Sequence, residues 1–337
     1  MVKKFIYQFG AFILGAALFS GCGSQTTPIK EGADKVSVVC TTFPQYDWVM
    51  NLLGEAAEEF EVSLLVKNSA DIHNYQPSAQ DMIAIKEADL FLYVGGESDA
   101  WVDDLMKADS ALSDKSVSLV AALGDKALIE EIVEGMEHDH EHEDGFGHEI
   151  GEEHARDDES LDEHVWLSLE NAEILCQYIS DRLKKLTPEV ADVIAKHTTE
   201  YVSTLHELDV KYQKMVDESA HNVLIFGDRF PFRYLTEDYE LEYYAAFAGC
   251  NAEVEAGFDT IIGLAGKADE LKAPCILVID GSDKRLAEAI LQAAEDQDKE
   301  ILTLDSMQSV SWEDVLQGAN YLEIMKENLE VLRKALG

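Results

Sequence analysis

The stretch from Pro188 to Ser219, PEVADVIAKHTTEYVSTLHELDVKYQKMVDES, decides the fold. Val190, Ile194, Tyr201, Leu205, Leu208, Tyr212 and Met215 recur every three or four residues, the spacing of one buried helical face, and His197 falls on the same stripe. No glycine and no internal proline interrupts it. Thr187 can cap the start, and Pro188 suits a first turn, where its missing N–H is no loss. These 32 residues at 1.5 Å rise make a helix of roughly 48 Å. A helix of that length crosses a whole domain, so residues 188–219 are expected to be a stiff strut between two lobes.

On both sides of the strut, short apolar runs alternate with helical spacing. Before it, Val36–Thr42, Glu61–Lys67, Leu90–Val94 and Ser116–Ala121 read as strands, with helices over Tyr46–Leu53 and Ala79–Glu87. After it, Asn222–Gly227, Leu241–Phe247, Cys275–Asp280 and Ile301–Asp305 read as strands. Helices are expected over Phe258–Ala268, Arg285–Asp296 and Trp312–Leu336. Such alternation argues for parallel βα units. The expected class is α/β, with an N-terminal lobe over 34–187, the linking helix, and a C-terminal lobe over 220–337.

The extreme N-terminus reads as a targeting segment rather than as fold. Lys3 and Lys4 precede the largely apolar Phe5–Phe19, which is short for a membrane span of about 20 residues. Ser20-Gly21-Cys22 resembles the lipobox of bacterial lipoproteins, in which the cysteine is diacylated and becomes the new N-terminus. Residues 1–22 are thus expected to be a signal peptide, Cys22 the lipidation site, and the Ser/Thr/Gly-rich 23–33 a flexible tether. The expected location is extracytoplasmic, anchored to the cell membrane. Cys40, Cys176, Cys250 and Cys275 lie far apart with no C-x-x-C pair, so buried thiols are expected at Cys40 and Cys275.

The formal net charge of −41 excludes nucleic acid as a partner and draws cations. Acid concentrates in EHDHEHEDGFGHEIGEEHARDDESLDEHVW, residues 137–166, which carries six of the ten histidines and 13 acidic residues. Its first part lacks apolar periodicity and reads as a surface loop over 137–163. Imidazole and carboxylate at that density bind divalent transition metals, so His138, His140, His142, His148 and His154 are expected to be exposed accessory chelators. His164 differs, because Val-Trp-Leu follows it and carries it into folded structure.

In open parallel sheets ligands sit beyond the carboxyl ends of the strands. His73 follows the second strand, Asp228 and Arg229 follow NVLIFG, and Asp305 ends ILTLD. With His164, these are the expected ligands of one ion between the lobes, and imidazole plus carboxylate suits zinc. Taken singly, Asp305 could instead cap the turn after its strand. Asp280 is expected to cap the helix near Lys284, and His197, His206 and His221 are read as structural.

Several stretches together carry a resemblance. Thr41-Thr-Phe-Pro-Gln-Tyr46, His73 with Pro77-Ser78 downstream, Glu163-His-Val-Trp-Leu167, Phe232-Arg-Tyr-Leu235, Leu304-Asp305 and Tyr321-Leu-Glu-Ile-Met325 with Asn328-Leu329 resemble the substrate-binding proteins of zinc and manganese ABC transporters. The resemblance implies two lobes, a long linking helix and a buried metal held by His73, His164 and Asp305. It implies a permease as partner, a monomeric receptor, and no enzymatic activity. Where the family has His or Glu, this chain has Arg229, which cannot ligate zinc. Either Asp228 supplies the oxygen, or water completes three protein ligands, or Glu255 pairs with Arg229. The His-rich loop points to zinc, with manganese as the alternative cargo. A metal-stabilised adhesin, with a role in cell adhesion, and a secreted zinc hydrolase are the readings from other classes. No H-E-x-x-H motif supports the hydrolase. Deleting residues 137–159 is expected to leave one tight zinc site while lowering total stoichiometry, measured by metal analysis after equilibrium dialysis.

Overall fold

Alternating apolar strands covered by helices build two sheets, each of four parallel strands, in the computed structural model. The structure describes residues 35–67, 72–133, 136, 160–249 and 256–337. The expected signal peptide, Cys22, the tether, Cys250, Glu255 and His138, His140, His142, His148 and His154 lie outside the described residues.

The first sheet contains β1 (Val36–Cys40), β2 (Phe60–Leu64), β3 (Leu90–Tyr93) and β4 (Ser116–Ser118) in the order β2-β1-β3-β4. Between them run α1 (Phe43–Leu53), α2 (Ala79–Glu87) and α3 (Ala100–Ala108), and α4 (Leu119–Leu123) follows β4. The next two helices are α5 (Leu169–Leu186) and α6 (Ala191–Glu218). The second sheet has β5 (Val223–Phe230), β6 (Glu242–Ala248), β7 (Cys275–Ile279) and β8 (Glu300–Leu304) in the order β6-β5-β7-β8. Its helices are α7 (Arg233–Asp238), α8 (Phe258–Glu270), α9 (Arg285–Ala293), α10 (Trp312–Leu316) and α11 (Tyr321–Leu336). All pairings are parallel, and both faces of each sheet are covered, which is why the strands read as near-continuous apolar runs.

The strut is a 28-residue α6 preceded by a short 3-10 turn over Pro188–Val190. Ile194, Tyr201, Leu205, Leu208, Tyr212 and Met215 are its buried stripe, packed against α1 and α5 at one end and α11 at the other. Tyr212 Oη donates to the Met325 carbonyl at 2.5 Å, tying the strut to α11. His197 pairs with Glu55, and His206 with Glu173 at 3.3 Å, consistent with structural roles. Cys40, Cys176 and Cys275 are buried free thiols.

Four readings need correction. The expected helix Trp312–Leu336 is two helices, broken where Gly318 adopts φ 100°, a conformation that glycine reaches at no steric cost. The strand after the strut runs past Gly227 to Phe230, with a shift in its pairing to β6 between Phe226 and Arg229. That irregularity absorbs Gly227-Asp228 as a bulge does. Asp280 does not cap α9; its carboxylate instead accepts from the Ser306 amide (2.7 Å) and hydroxyl (2.6 Å), and from the Ser309 amide (3.0 Å) and hydroxyl. The expected strand Ser116–Ala121 ends at Ser118, whose hydroxyl accepts from the Ala121 amide and caps α4 from Leu119 on; the helices α3, α5 and α7 went unread in the sequence.

One continuous core runs through both lobes, and buried polar links stitch it. Trp166 Nε1 donates to the Ser306 carbonyl (2.9 Å), and Tyr321 Oη to the Trp166 carbonyl (2.6 Å). Tyr234 of α7 donates to the Asp162 carbonyl (2.9 Å) and accepts from the Leu128 amide (3.0 Å). Tyr234 is 2% exposed, so deleting its hydroxyl leaves buried backbone groups unsatisfied. Tyr234→Phe is expected to cost about 1–3 kcal/mol of stability, read as a lower urea midpoint at unchanged slope.

Candidate metal centre

The two expected imidazoles reach one place from separate segments. His73 sits in a 3-10 turn, Ile72–Asn74, between β2 and α2. That turn feeds Ser78, which caps α2 by accepting from the Asp81 amide. His164 precedes a second 3-10 turn, Val165–Leu167, whose side chains are fully buried. Ser168 then caps α5 through the Asn171 amide at 2.9 Å. Burying Val-Trp-Leu fixes the backbone that carries His164, which is itself 1% exposed. The ring centroids of His73 and His164 are 5.6 Å apart.

Both rings face a cavity of about 250 Å³ lined also by Glu97, Ser98, Glu130, Ser160, Leu161, Asp162 and Glu163. The base of the acidic segment is fastened at its mouth. Glu130 N donates to the Ser160 carbonyl, Asp162 N to the Leu128 carbonyl (both 2.9 Å), and Ile129 pairs with Leu161 in an antiparallel bridge. Each histidine has its Nδ1 turned to polar groups. His164 Nδ1 lies 3.1 Å from Asp162 Oδ1. His73 Nδ1 hydrogen-bonds the Ser98 hydroxyl and stands 3.7 Å from Glu163 Oε2.

The electrostatics favour a cation. Burial pushes the Glu163 carboxyl up to about 7, against opposing hydrogen bonds from Ser98. Glu130 is raised as well, first by burial and then by the Asp162 charge. Carboxylates gathered without enough countercharge resist ionisation, and a divalent ion would relieve them.

Asp305 and Asp228 stand apart from this cavity's lining. Asp305 follows β8, with Asn328 of α11 clamping its backbone on both sides: Asp305 N donates to Asn328 Oδ1 (2.8 Å), and Asn328 Nδ2 donates to the Asp305 carbonyl (2.7 Å). Its Oδ1 accepts from the Met307 amide at 2.7 Å, so it does cap the turn. Asp228 accepts from its neighbour's amide, Arg229 N, at 2.9 Å. With Arg229, Asp280, Gln308 and Ser309 it lines a second cavity of about 160 Å³. Among the described residues, no three His, Cys, Asp or Glu side chains are arranged to hold one ion. The Trp166–Ser306 bond nevertheless joins the segment bearing His164 to the one bearing Asp305.

Sequence reasoning missed Ser98, Glu97, Glu130, Asp162 and Glu163 as members of the site. Gly95-Gly96-Glu97-Ser98 does follow the third strand, where ligands gather in parallel sheets, and that position was the available signal.

The chain thus combines two parallel α/β lobes, a linking helix and a pair of imidazoles in a carboxylate-rich cavity lined by first-lobe residues. Residues 38–335 match the family described as zinc-uptake complex component A, periplasmic, and the chain belongs to that family. It is 27% identical over 322 residues to the zinc-binding lipoprotein AdcA of Streptococcus pneumoniae strain R6, covering 95% of this chain and 59% of that protein. It is 26% identical over 331 residues to the high-affinity zinc uptake system protein ZnuA of Bacillus subtilis strain 168, covering 97% of each. The chain therefore spans 56 to 59% of the length of the streptococcal relatives it matches. In fold it is similar to the Zn(II)-bound ZnuA-like domain of Streptococcus pneumoniae AdcA, with TM-score 0.67 and 24% identity over 90% of this chain and 99% of that domain.

Burial, and next the charge of Asp280, raise the Asp305 carboxyl from 3.8 to about 7. Below pH 4 the group is protonated folded or unfolded. As pH rises from 4 to 7 the unfolded chain ionises first, so folding loses stability across that window. Metal-free Asp305→Asn is therefore expected to melt higher than the parent at pH 8 and equally at about pH 3, by calorimetric scans at both.

Proposed function

We propose that the chain is an extracytoplasmic receptor that captures Zn2+ between its lobes and delivers it to the permease of an ABC transporter. The observation that carries this is the pairing of His73 and His164 at 5.6 Å in a carboxylate-rich cavity. Membership of a zinc-uptake family supports it. His73 and His164 supply imidazole nitrogen, and Asp305 supplies an oxygen from the second lobe. For the position held by Arg229, Asp228 is the oxygen donor closest in sequence. The accessory histidines 138, 140, 142, 148 and 154 raise the local metal concentration. Cys22 carries the lipid anchor, as the lipoprotein name of the pneumococcal relative supports for that protein.

Capture here is binding chemistry: ligands lose protons and the ion sheds part of its water. Nitrogen ligands favour zinc, whereas the surrounding carboxylates keep manganese as the second cargo to test. Chelator-stripped protein is expected to take up zinc tightly, and His73→Ala or His164→Ala to lose that site. Because ligands must deprotonate, affinity is expected to fall at least roughly tenfold from pH 7.5 to 5.5. Competition titration against a chromophoric chelator measures both. Histidine variants that bind like the parent, or affinity flat across that range, would overturn the reading.

A further inference from the structure

Glu163 is buried at 5% exposure, and among the described residues no lysine or arginine pairs with it. A buried carboxylate without a cationic partner is costly, so its surroundings show what it is held for. Oε1 accepts from the Ser98 amide at 2.7 Å, which fixes the residue that carries the Ser98 hydroxyl. The same hydroxyl bonds His73 Nδ1, and Oε2 faces that nitrogen at 3.7 Å. The backbone is shaped around this group: Gly96 adopts φ +98°, and a Cβ there would stand 2.6 Å from Glu163 Oε1.

An imidazole binds a metal well only when its other nitrogen is held by an acceptor, which fixes tautomer and ring direction and raises the basicity of the ligating nitrogen. Given the reading of His73 as a ligand, on which this inference rests, we propose that Glu163 is a positioning residue for zinc capture, acting through Ser98 to hold His73 with Nε2 presented to the ion. Asp162 stands in the same relation to His164 Nδ1. Three consecutive residues, Asp162-Glu163-His164, thus supply one ligand and the carboxylates behind both imidazoles.

The test uses the full chain stripped with a chelator and titrated with Zn2+, with Co2+ as a spectroscopic probe. Glu163→Gln keeps the size and the oxygen that accepts from Ser98 N while removing the charge. It is expected to retain one tight site, fold as the parent does by circular dichroism, and lose roughly 10- to 100-fold in zinc affinity. Its Co2+ absorption bands should shift in wavelength or intensity. Unchanged affinity and an unchanged Co2+ spectrum in Glu163→Gln, alongside loss of binding in His73→Ala, would overturn the positioning role alone. Parent-like binding in His73→Ala would instead remove the ligand reading beneath it. Should Glu163→Gln fail to fold, Ser98→Ala carries the same test through the linking hydroxyl, with the same loss expected and parent-like binding counting against the proposal.

Discussion

The hydrogen bond from the Trp166 indole to the Ser306 carbonyl spans 140 positions of sequence and ties the first lobe to the second. His164 lies two residues before its donor and Asp305 one residue before its acceptor. Trp166 is 1% and Ser306 0% exposed, so the bond forms where water cannot compete and where its loss would orphan a buried carbonyl. Tyr321, donating to the Trp166 carbonyl and packing T-shaped with Trp48 at 5.3 Å between ring centroids, closes the same seam from α11. The junction between lobes is therefore a packed interior with polar stitches. Such an interior holds the first-lobe histidines in a fixed relation to the second sheet.

Against that rigid seam, the acidic groups carry a cost to the metal-free fold. Glu163 and Asp305 are each pushed up to about 7, chiefly by burial. Carboxyl groups that resist ionisation without a countercharge are those that a nearby divalent cation would favour most.

Much of the architecture was legible because it follows from local pattern. Parallel strands buried on both faces must be apolar throughout, and the runs at Val36, Leu90 and Cys275 announced themselves in that way. The 3.6-residue stripe of α6 did likewise, since a long helix can bury only one face. Apart from the 18-residue α5, what escaped was short or turned on backbone conformation. Gly318 split the C-terminal helix, and the continuation of β5 to Phe230 lay beyond a glycine that reads as a stop.

The sequence by itself determined two parallel α/β lobes, the strut between them, and His73 and His164 as the imidazoles to watch. The lobes and the strut rest on the spacing of residues along single elements, whereas the two histidines rest on their place after a strand or before an apolar run and on the family resemblance. Only the tertiary structure decided which carboxylate serves which neighbour: Asp280 clamps Ser306 and Ser309 instead of capping a helix, Asp228 faces its own cavity beside Arg229, and Glu163 backs His73 through Ser98. Those partners come from segments 26 to 65 positions apart. No periodicity encodes such meetings, because they are set by how folded elements pack against each other.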